Sequence, residues 1–97
     1  MPGLAEPGAV QVRWTRPAVQ QLIAIGEYIA DRNPAAARKI ERRLRAAVEA
    51  LVRLPSMGHE GRVPGTRELN VPGTPYVIPY RLDGDCVDIL AIFHGAQ

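Results

Sequence analysis

The run Cys86-Val87-Asp88-Ile89-Leu90-Ala91-Ile92-Phe93 restricts the fold more than any other stretch of this chain. Side chains of a strand alternate between its two faces. Val87, Ile89, Ala91 and Phe93 then fall on one side, Leu90 and Ile92 on the other, so both faces are apolar beyond Asp88. A half-solvated strand would alternate in polarity; this one belongs inside a sheet, with cover on both sides.

The residues before it supply the neighbours. Gly65-Thr66-Arg67-Glu68-Leu69-Asn70-Val71, a Pro72-Gly73-Thr74-Pro75 break, Tyr76–Leu82 and the dipeptide Asp83-Gly84 read as a three-stranded antiparallel meander ending in the apolar run. Asp-Gly between two β-rich segments predicts a type I′ hairpin turn, whose two central residues need positive φ. Pro79 falls in the middle strand, where it has no N–H to donate, and predicts a bulge or a missing rung there.

Upstream, Val10-Gln11-Val12-Arg13-Trp14 alternates as a half-buried strand with Val10, Val12 and Trp14 inward. A helix follows, with Thr15 as cap, Pro17 in the first turn, Ala18, Leu22, Ile25 and Ile29 on one face, and an end near Asp31 or Arg32. Gly26 in its interior predicts a close approach to a second helix. Asn33-Pro34 opens that second helix as N-cap and first-turn proline, and Leu54-Pro55 stops it. Ala37, Ile40, Leu44, Ala47, Val48 and Leu51 form its apolar stripe. The minimal link makes the two helices an antiparallel hairpin. Ser56–Gly65, rich in Gly and Pro, reads as a loop.

The expected order is β-α-α-β-β-β, an α+β domain over residues 10–97 with the hairpin on one face of a mainly antiparallel four-stranded sheet, behind a loose tail at residues 1–9. Nothing in the chain covers the other face, and an uncovered apolar face predicts a partner.

Charge and composition narrow the function. Net charge is only +2, but the segment from Asn33 to Leu54 holds six cations, Arg38, Lys39, Arg42, Arg43, Arg45 and Arg53, against Glu41 and Glu49. Such a segment is a solvated helix face or a surface for nucleic acid or an acidic protein. Cys86 is alone, which excludes an intrachain disulfide, and with His59 and His94 it lacks metal-ligand spacing. There is no glycine-rich phosphate loop and no nucleophile elbow, so no cofactor is expected. The absence of a spanning run and of a signal peptide predicts a cytoplasmic chain.

Taken together, the Asn33-Pro34 hairpin, the Leu54-Pro55…Gly58…Gly61 loop, Gly65-Thr66-Arg67-Glu68-Leu69, Tyr76-x-Ile78-x-Tyr80-Arg81 and Val87-x-Ile89-Leu90-x-Ile92-x-His94-Gly95 resemble the RelE/ParE superfamily of bacterial type II toxin–antitoxin toxins, on the ParE side. The resemblance implies a growth-inhibiting toxin, often tied to plasmid stabilisation, held in a hetero-oligomer by a cognate antitoxin. RelE-like members cleave mRNA on the ribosome; ParE-like members poison DNA gyrase.

Ribonuclease chemistry needs a base, an acid and cations at the phosphate. If the chain is a nuclease, Arg67, Arg81 and His94 are the candidates, with Arg62, Glu60 and Glu68 behind them. Against this, Val77 and Ala91 stand where many nuclease relatives carry Arg, Gly95 stands where one subgroup has Tyr, and Lys39 is the only lysine. The sequence thus favours no catalytic residue and inhibition of gyrase by binding. The alternatives are the ribosome-dependent endonuclease and a plain nucleic-acid-binding module using the Arg-rich helix. The expected antitoxin-binding residues are Arg62, Arg67 and Arg81, whose guanidinium groups suit carboxylates, with Leu90 and Ile92 from the uncovered face.

Overall fold

A computed structural model describes residues 10–95; the expected tail at residues 1–9 lies outside the described residues. The elements run β1 (Gln11–Trp14), α1 (Arg16–Ala30), α2 (Pro34–Arg53), β2 (His59–Glu60), β3 (Arg67–Asn70), β4 (Tyr76–Asp83), β5 (Cys86–Ile89) and β6 (Phe93–His94). The strands form one mixed sheet in the order β1-β5-β4-β3-β2, with β6 also on β4. β1 runs parallel to β5 and every other pairing is antiparallel. The expected four strands are present, with two-residue additions: β2 inside the expected loop, and β6 split from the end of the apolar run.

The helical hairpin lies on one face, in the expected phase. Leu44 and Leu51 are fully buried and pack with Ala18, Leu22, Ile78, Tyr80, Val87 and Ile89. Val10, Val12 and Trp14 pack against this core from the edge. Asn33 caps α2, its Oδ1 accepting from the Ala36 N–H at 3.1 Å. Thr15 occupies the cap position of α1 but makes no side-chain cap hydrogen bond. Its hydroxyl donates to the Ile89 carbonyl at 2.6 Å instead, and its N–H reaches the same oxygen at 3.1 Å. Thr15 thereby ties the start of α1 to the end of β5. Gly26 does not mark a close helix contact: a Cβ there would meet nothing within 4 Å.

Two shifts of register correct the expected meander. Asp83 pairs with Cys86, so the central turn residues are Gly84 and Asp85 rather than Asp83 and Gly84. Only Gly84 has positive φ, +60°, the pattern of a type II′ turn with glycine first. The second shift is the disruption expected at Pro79. Tyr80 pairs with Ile89 and Val77 with Phe93, so Leu90, Ala91 and Ile92 span what Ile78 and Pro79 span opposite. The extra residue sits in the last strand, not in β4. Pro79 accepts from the Leu90 N–H at 2.9 Å; its missing donor faces that same edge, where a regular ladder cannot continue. The bulge resets the alternation. Ile92, expected on the free face, is 2% exposed and packs in the core with Val87 and Ile89.

Candidate functional site

Directly opposed residues of paired strands share a sheet face. The register therefore puts Arg13, Glu68, Asn70, Val77, Pro79, Arg81, Asp88 and Phe93 on the face away from the helices. This open face is less apolar than the sequence suggests. Two of its most buried groups are the carboxylates Glu68 and Asp88, 6% and 7% exposed, each with an arginine laid beside it.

Asp88 is the acid that interrupts the apolar run. Arg13, on the neighbouring parallel strand, donates to it through Nε at 2.6 Å and Nη2 at 3.1 Å, and reaches Asp83 at 3.0 Å. Arg81 stands 3.8 Å away on the other side. The hydrogen bonds from Arg13 hold the Asp88 carboxyl below its ordinary value against the opposing pull of desolvation, with lesser help from the charges of Arg13 and Arg81. The same contacts push the Arg13 guanidinium up, so it stays charged throughout.

Glu68 anchors a second cluster. Its Oε2 accepts from the Arg62 N–H at 3.1 Å, and its Oε1 is 3.6 Å from Arg62 Nε. The Arg62 guanidinium also lies 5.0 Å from the centre of the Phe93 ring, a cation–π contact. Loop 61–66 is thereby pinned across the open face. Beside it lies a groove of about 530 Å³ lined by His59, Arg62, Glu68, Asn70, Tyr76 and Val77. Tyr76 meets the His94 ring edge-on at 5.8 Å. Burial pushes the Tyr76 phenol up, so it is a neutral hydrogen-bonding group near pH 7.

The nuclease candidates do not converge. Arg67 pairs with Tyr80 and faces the helix side, where its Nη1 donates to the carbonyls of Gly58 at 2.7 Å and Ser56 at 3.2 Å. Arg81, one residue beyond Tyr80, is on the opposite face. His94 pairs with Tyr76, four residues along β4 from the partner of Arg67, which separates the two by roughly 13 Å along the strand alone. No single phosphate could touch all three. Nor do Arg62, Arg67 and Arg81 form one surface: Arg62 and Arg81 share the open face, and Arg67 fastens the loop after α2. Leu90 is half-buried at the bulge and Ile92 is sealed in the core. Among the described residues no group of three His, Cys, Asp or Glu side chains could hold a metal, and no helix is long and apolar enough to cross a membrane.

Sequence reasoning missed the Arg13–Asp88–Asp83 cluster. Its one signal was Asp88, a lone acid in an apolar strand, which needs a cation. Naming that cation required the parallel pairing of β1 with β5, a contact across 75 residues.

Residues 12–97 match the family described as the ParE toxin of the type II toxin–antitoxin system parDE. A putative toxin, Y4kP, of Sinorhizobium fredii is 42% identical over 90% of this chain and 90% of its own length. The toxin RelE2 of Caulobacter vibrioides is 36% identical over 90% of this chain and 97% of its own. Among solved structures, a chain of the chromosomal ParDE system of P. aeruginosa superposes with a TM-score of 0.81 at 29% identity, over 90% of this chain and 97% of that one. A chain of the RelBE2 toxin–antitoxin complex of Mycobacterium tuberculosis follows with a TM-score of 0.63 at 26% identity, over 89% and 98%.

Proposed function

The chain belongs to the ParE toxin family of type II toxin–antitoxin systems, and from that premise we propose that it arrests growth in the bacterial cytoplasm by binding DNA gyrase, without catalytic turnover of its own, and that a cognate antitoxin neutralises it. One observation carries the choice of mechanism: the side chains a ribonuclease would need are dispersed. Arg67 and Arg81 lie on opposite sheet faces, with Arg67 occupied by two carbonyls and Arg81 beside Asp88. Acid–base groups act only within hydrogen-bond reach of one reacting centre. A binding inhibitor has no such requirement; it needs a surface. The family match supports a ParE-like toxin, and the toxin–antitoxin systems among the similar structures support an antitoxin partner.

The test is induction of the toxin alone in a bacterial host, following plasmid supercoiling and gyrase–DNA cleavage complexes beside the integrity of translating mRNA. Cleavage complexes with intact mRNA are expected. Prompt codon-specific mRNA cleavage with gyrase untouched would replace this mechanism with that of a ribosome-dependent endonuclease. Substitution separates the two as well. A nuclease loses a factor of about 10²–10⁴ in rate when one acid–base group is truncated, whereas the expected outcome for His94→Ala or Arg81→Ala is a graded loss of toxicity.

A further inference from the structure

Two features of α1 have no use inside the chain. The first is an exposed apolar stripe. Val19, Ile23, Gly26 and Ala30 recur at spacings of four, three and four, on one side of the helix. Val19 is 38% exposed and Ile23 54%. The stripe borders a groove of about 380 Å³ between α1 and α2, floored by Leu22 and Ala37. No sheet residue lines this groove, so it opens away from the sheet. The second feature is Gly26. Glycine in a helix interior destabilises the helix relative to alanine. Gly26 is not among the glycines with positive φ, and a Cβ there would meet nothing within 4 Å. Neither the backbone nor the packing of the chain calls for a glycine at this position. What it leaves is a hollow one turn along from the projecting Ile23.

The rim of the groove carries both signs, Glu27 and Glu41 against Arg38 and Arg45. Glu41 uses one oxygen on Arg45 at 3.3 Å. Among the described residues Arg38 lies in no ion pair.

We propose that this groove is a contact between two copies of the chain, related by a two-fold axis, with the two hairpins stacked as a four-helix bundle. A two-fold contact uses the same patch on both copies, so the patch must match itself. This one does. With α1 antiparallel to α1 of the second copy, an axis level with residues 24–25 lays Ile23 of each copy over Gly26 of the other, and Val19 over Ala30. The link between the helices is residues 31–33, so the same level falls at residues 39–40 of α2. The axis then brings Arg38 of each copy to Glu41 of the other, on the oxygen that Arg45 leaves free. Charge selects the occupant. A nucleic acid or an acidic segment gains little from a rim with two charges of each sign, whereas a second copy turned by half a revolution presents the opposites in place. The size sets the strength. α1 has 15 residues and runs roughly 22 Å, and two helices side by side are roughly 20 Å across. That footprint is at the small end of specific interfaces, so the dimer dissociates on the order of micromolar concentration and is not a condition of folding. The contact leaves the open sheet face free in both copies and is independent of the target proposed above.

The experiment is sedimentation of the purified full chain from about 1 μM to about 1 mM, beside a thermal melt of the dilute chain. Monomer–dimer exchange is expected for wild type. Gly26→Leu fills the hollow, and Ile23→Glu puts a charge where the projecting side chain docks. Each should weaken the dimer by about 30-fold or more, as for a blocked hot spot. Both positions are open in a single copy, so the dilute variants should melt no lower than wild type within error. Arg38→Glu and Glu41→Arg should each weaken the dimer, and the chain carrying both should regain it, because each copy then offers the same pair reversed. A wild-type chain that stays monomeric throughout would overturn the proposal and leave the groove to a helix of another protein. A dimer indifferent to Gly26→Leu and Ile23→Glu would overturn it by placing the contact elsewhere. A doubly charge-reversed chain that stays as weak as the single variants would overturn the two-fold register.

Discussion

The same strands build two unlike faces. Under the helices the buried positions are apolar, Ile78, Tyr80, Val87 and Ile89 against Leu44 and Leu51. On the open side they include Glu68 and Asp88, closed over by Arg62, Arg13 and Arg81. A sheet face with no layer on it can still exclude water from its centre if long arginine stems lie across it and their guanidinium groups pair with the strand carboxylates. The consequence for function is that charge on the open face is spent inside the chain, whereas on α2, apart from the Arg45–Glu41 pair, the cations Lys39, Arg42, Arg43 and Arg53 meet no carboxylate among the described residues.

The sharpest way to break this comparison is to remove one side chain under the helices. Leu44→Ala deletes a fully buried leucine between the hairpin and the sheet and should destabilise the chain by about 2–5 kcal/mol in a denaturant or thermal melt. Ile23→Ala on the exposed side of α1, where Ile23 is 54% exposed, should stay within about 0.5 kcal/mol. If the two cost the same, the hairpin does not pack as described.

The loop after α2 comes next. Tyr80 is fully buried, and its hydroxyl donates to the Pro55 carbonyl at 2.8 Å and accepts from the Gly58 N–H at 2.9 Å. Tyr80→Phe keeps the packing and leaves both backbone groups unpaired, an expected loss of about 1–3 kcal/mol. Gly58→Ala fails for a steric reason: its Cβ would sit 2.7 Å from the Glu68 carbonyl oxygen and from the Tyr80 hydroxyl. Overpacking of that kind costs about 1–3 kcal/mol. Both variants should melt earlier than wild type; an unchanged melt for Tyr80→Phe would mean that the loop finds its partners elsewhere.

The helix-covered face was legible in the sequence and the open face was not, and the reason is physical. Periodicity reports which side of an element is apolar, and the stripe Ala37, Ile40, Leu44, Ala47, Val48, Leu51 has one phase throughout. Asn33-Pro34 and Leu54-Pro55 mark helix ends through local backbone chemistry alone. The last strand is different. A run apolar on both sides carries no phase, so nothing in Leu90-Ala91-Ile92 announces the bulge that turns Ile92 inward. Nor does local sequence say that Arg67 fastens the loop after α2 while Arg62 and Arg81 face the other way; strand register decides that, and one residue of slip reverses it.

Acid titration sharpens the comparison from the open side. Asp88 is held below its ordinary value of 3.8, chiefly by the hydrogen bonds from Arg13. A lowered carboxyl contributes stability that is complete above the unfolded value and is lost as pH falls through the folded one. Wild type should therefore lose this contribution progressively below about pH 4. Asp88→Asn should cost about 1 kcal/mol at neutral pH, in keeping with a pair whose arginine is half exposed, and the gap between the two chains should close in acid. A gap that stays constant to low pH would show that the carboxylate charge does nothing there.

The smallest effect separates the two arginines that share this carboxylate. Arg13 meets Asp88 through two hydrogen bonds, at 2.6 and 3.1 Å, and adds Asp83 at 3.0 Å. Arg81 approaches only to 3.8 Å, beyond hydrogen-bond distance, with its side chain 54% exposed. A single exposed ion pair without hydrogen bonds contributes roughly 0–0.5 kcal/mol, so Arg81→Ala should barely move the melt, while Arg13→Ala, which removes the hydrogen bonds to Asp88, should lower it visibly. With so little structural work to do, Arg81 is the open-face arginine whose removal reads function with the least disturbance of the fold. Toxicity that falls on Arg81→Ala, in a chain that melts like wild type and binds its antitoxin as tightly, would place the target on the open face and the antitoxin away from it. Equal melting losses for Arg13→Ala and Arg81→Ala would show instead that the two share Asp88 evenly, and the separation of roles between them would be gone.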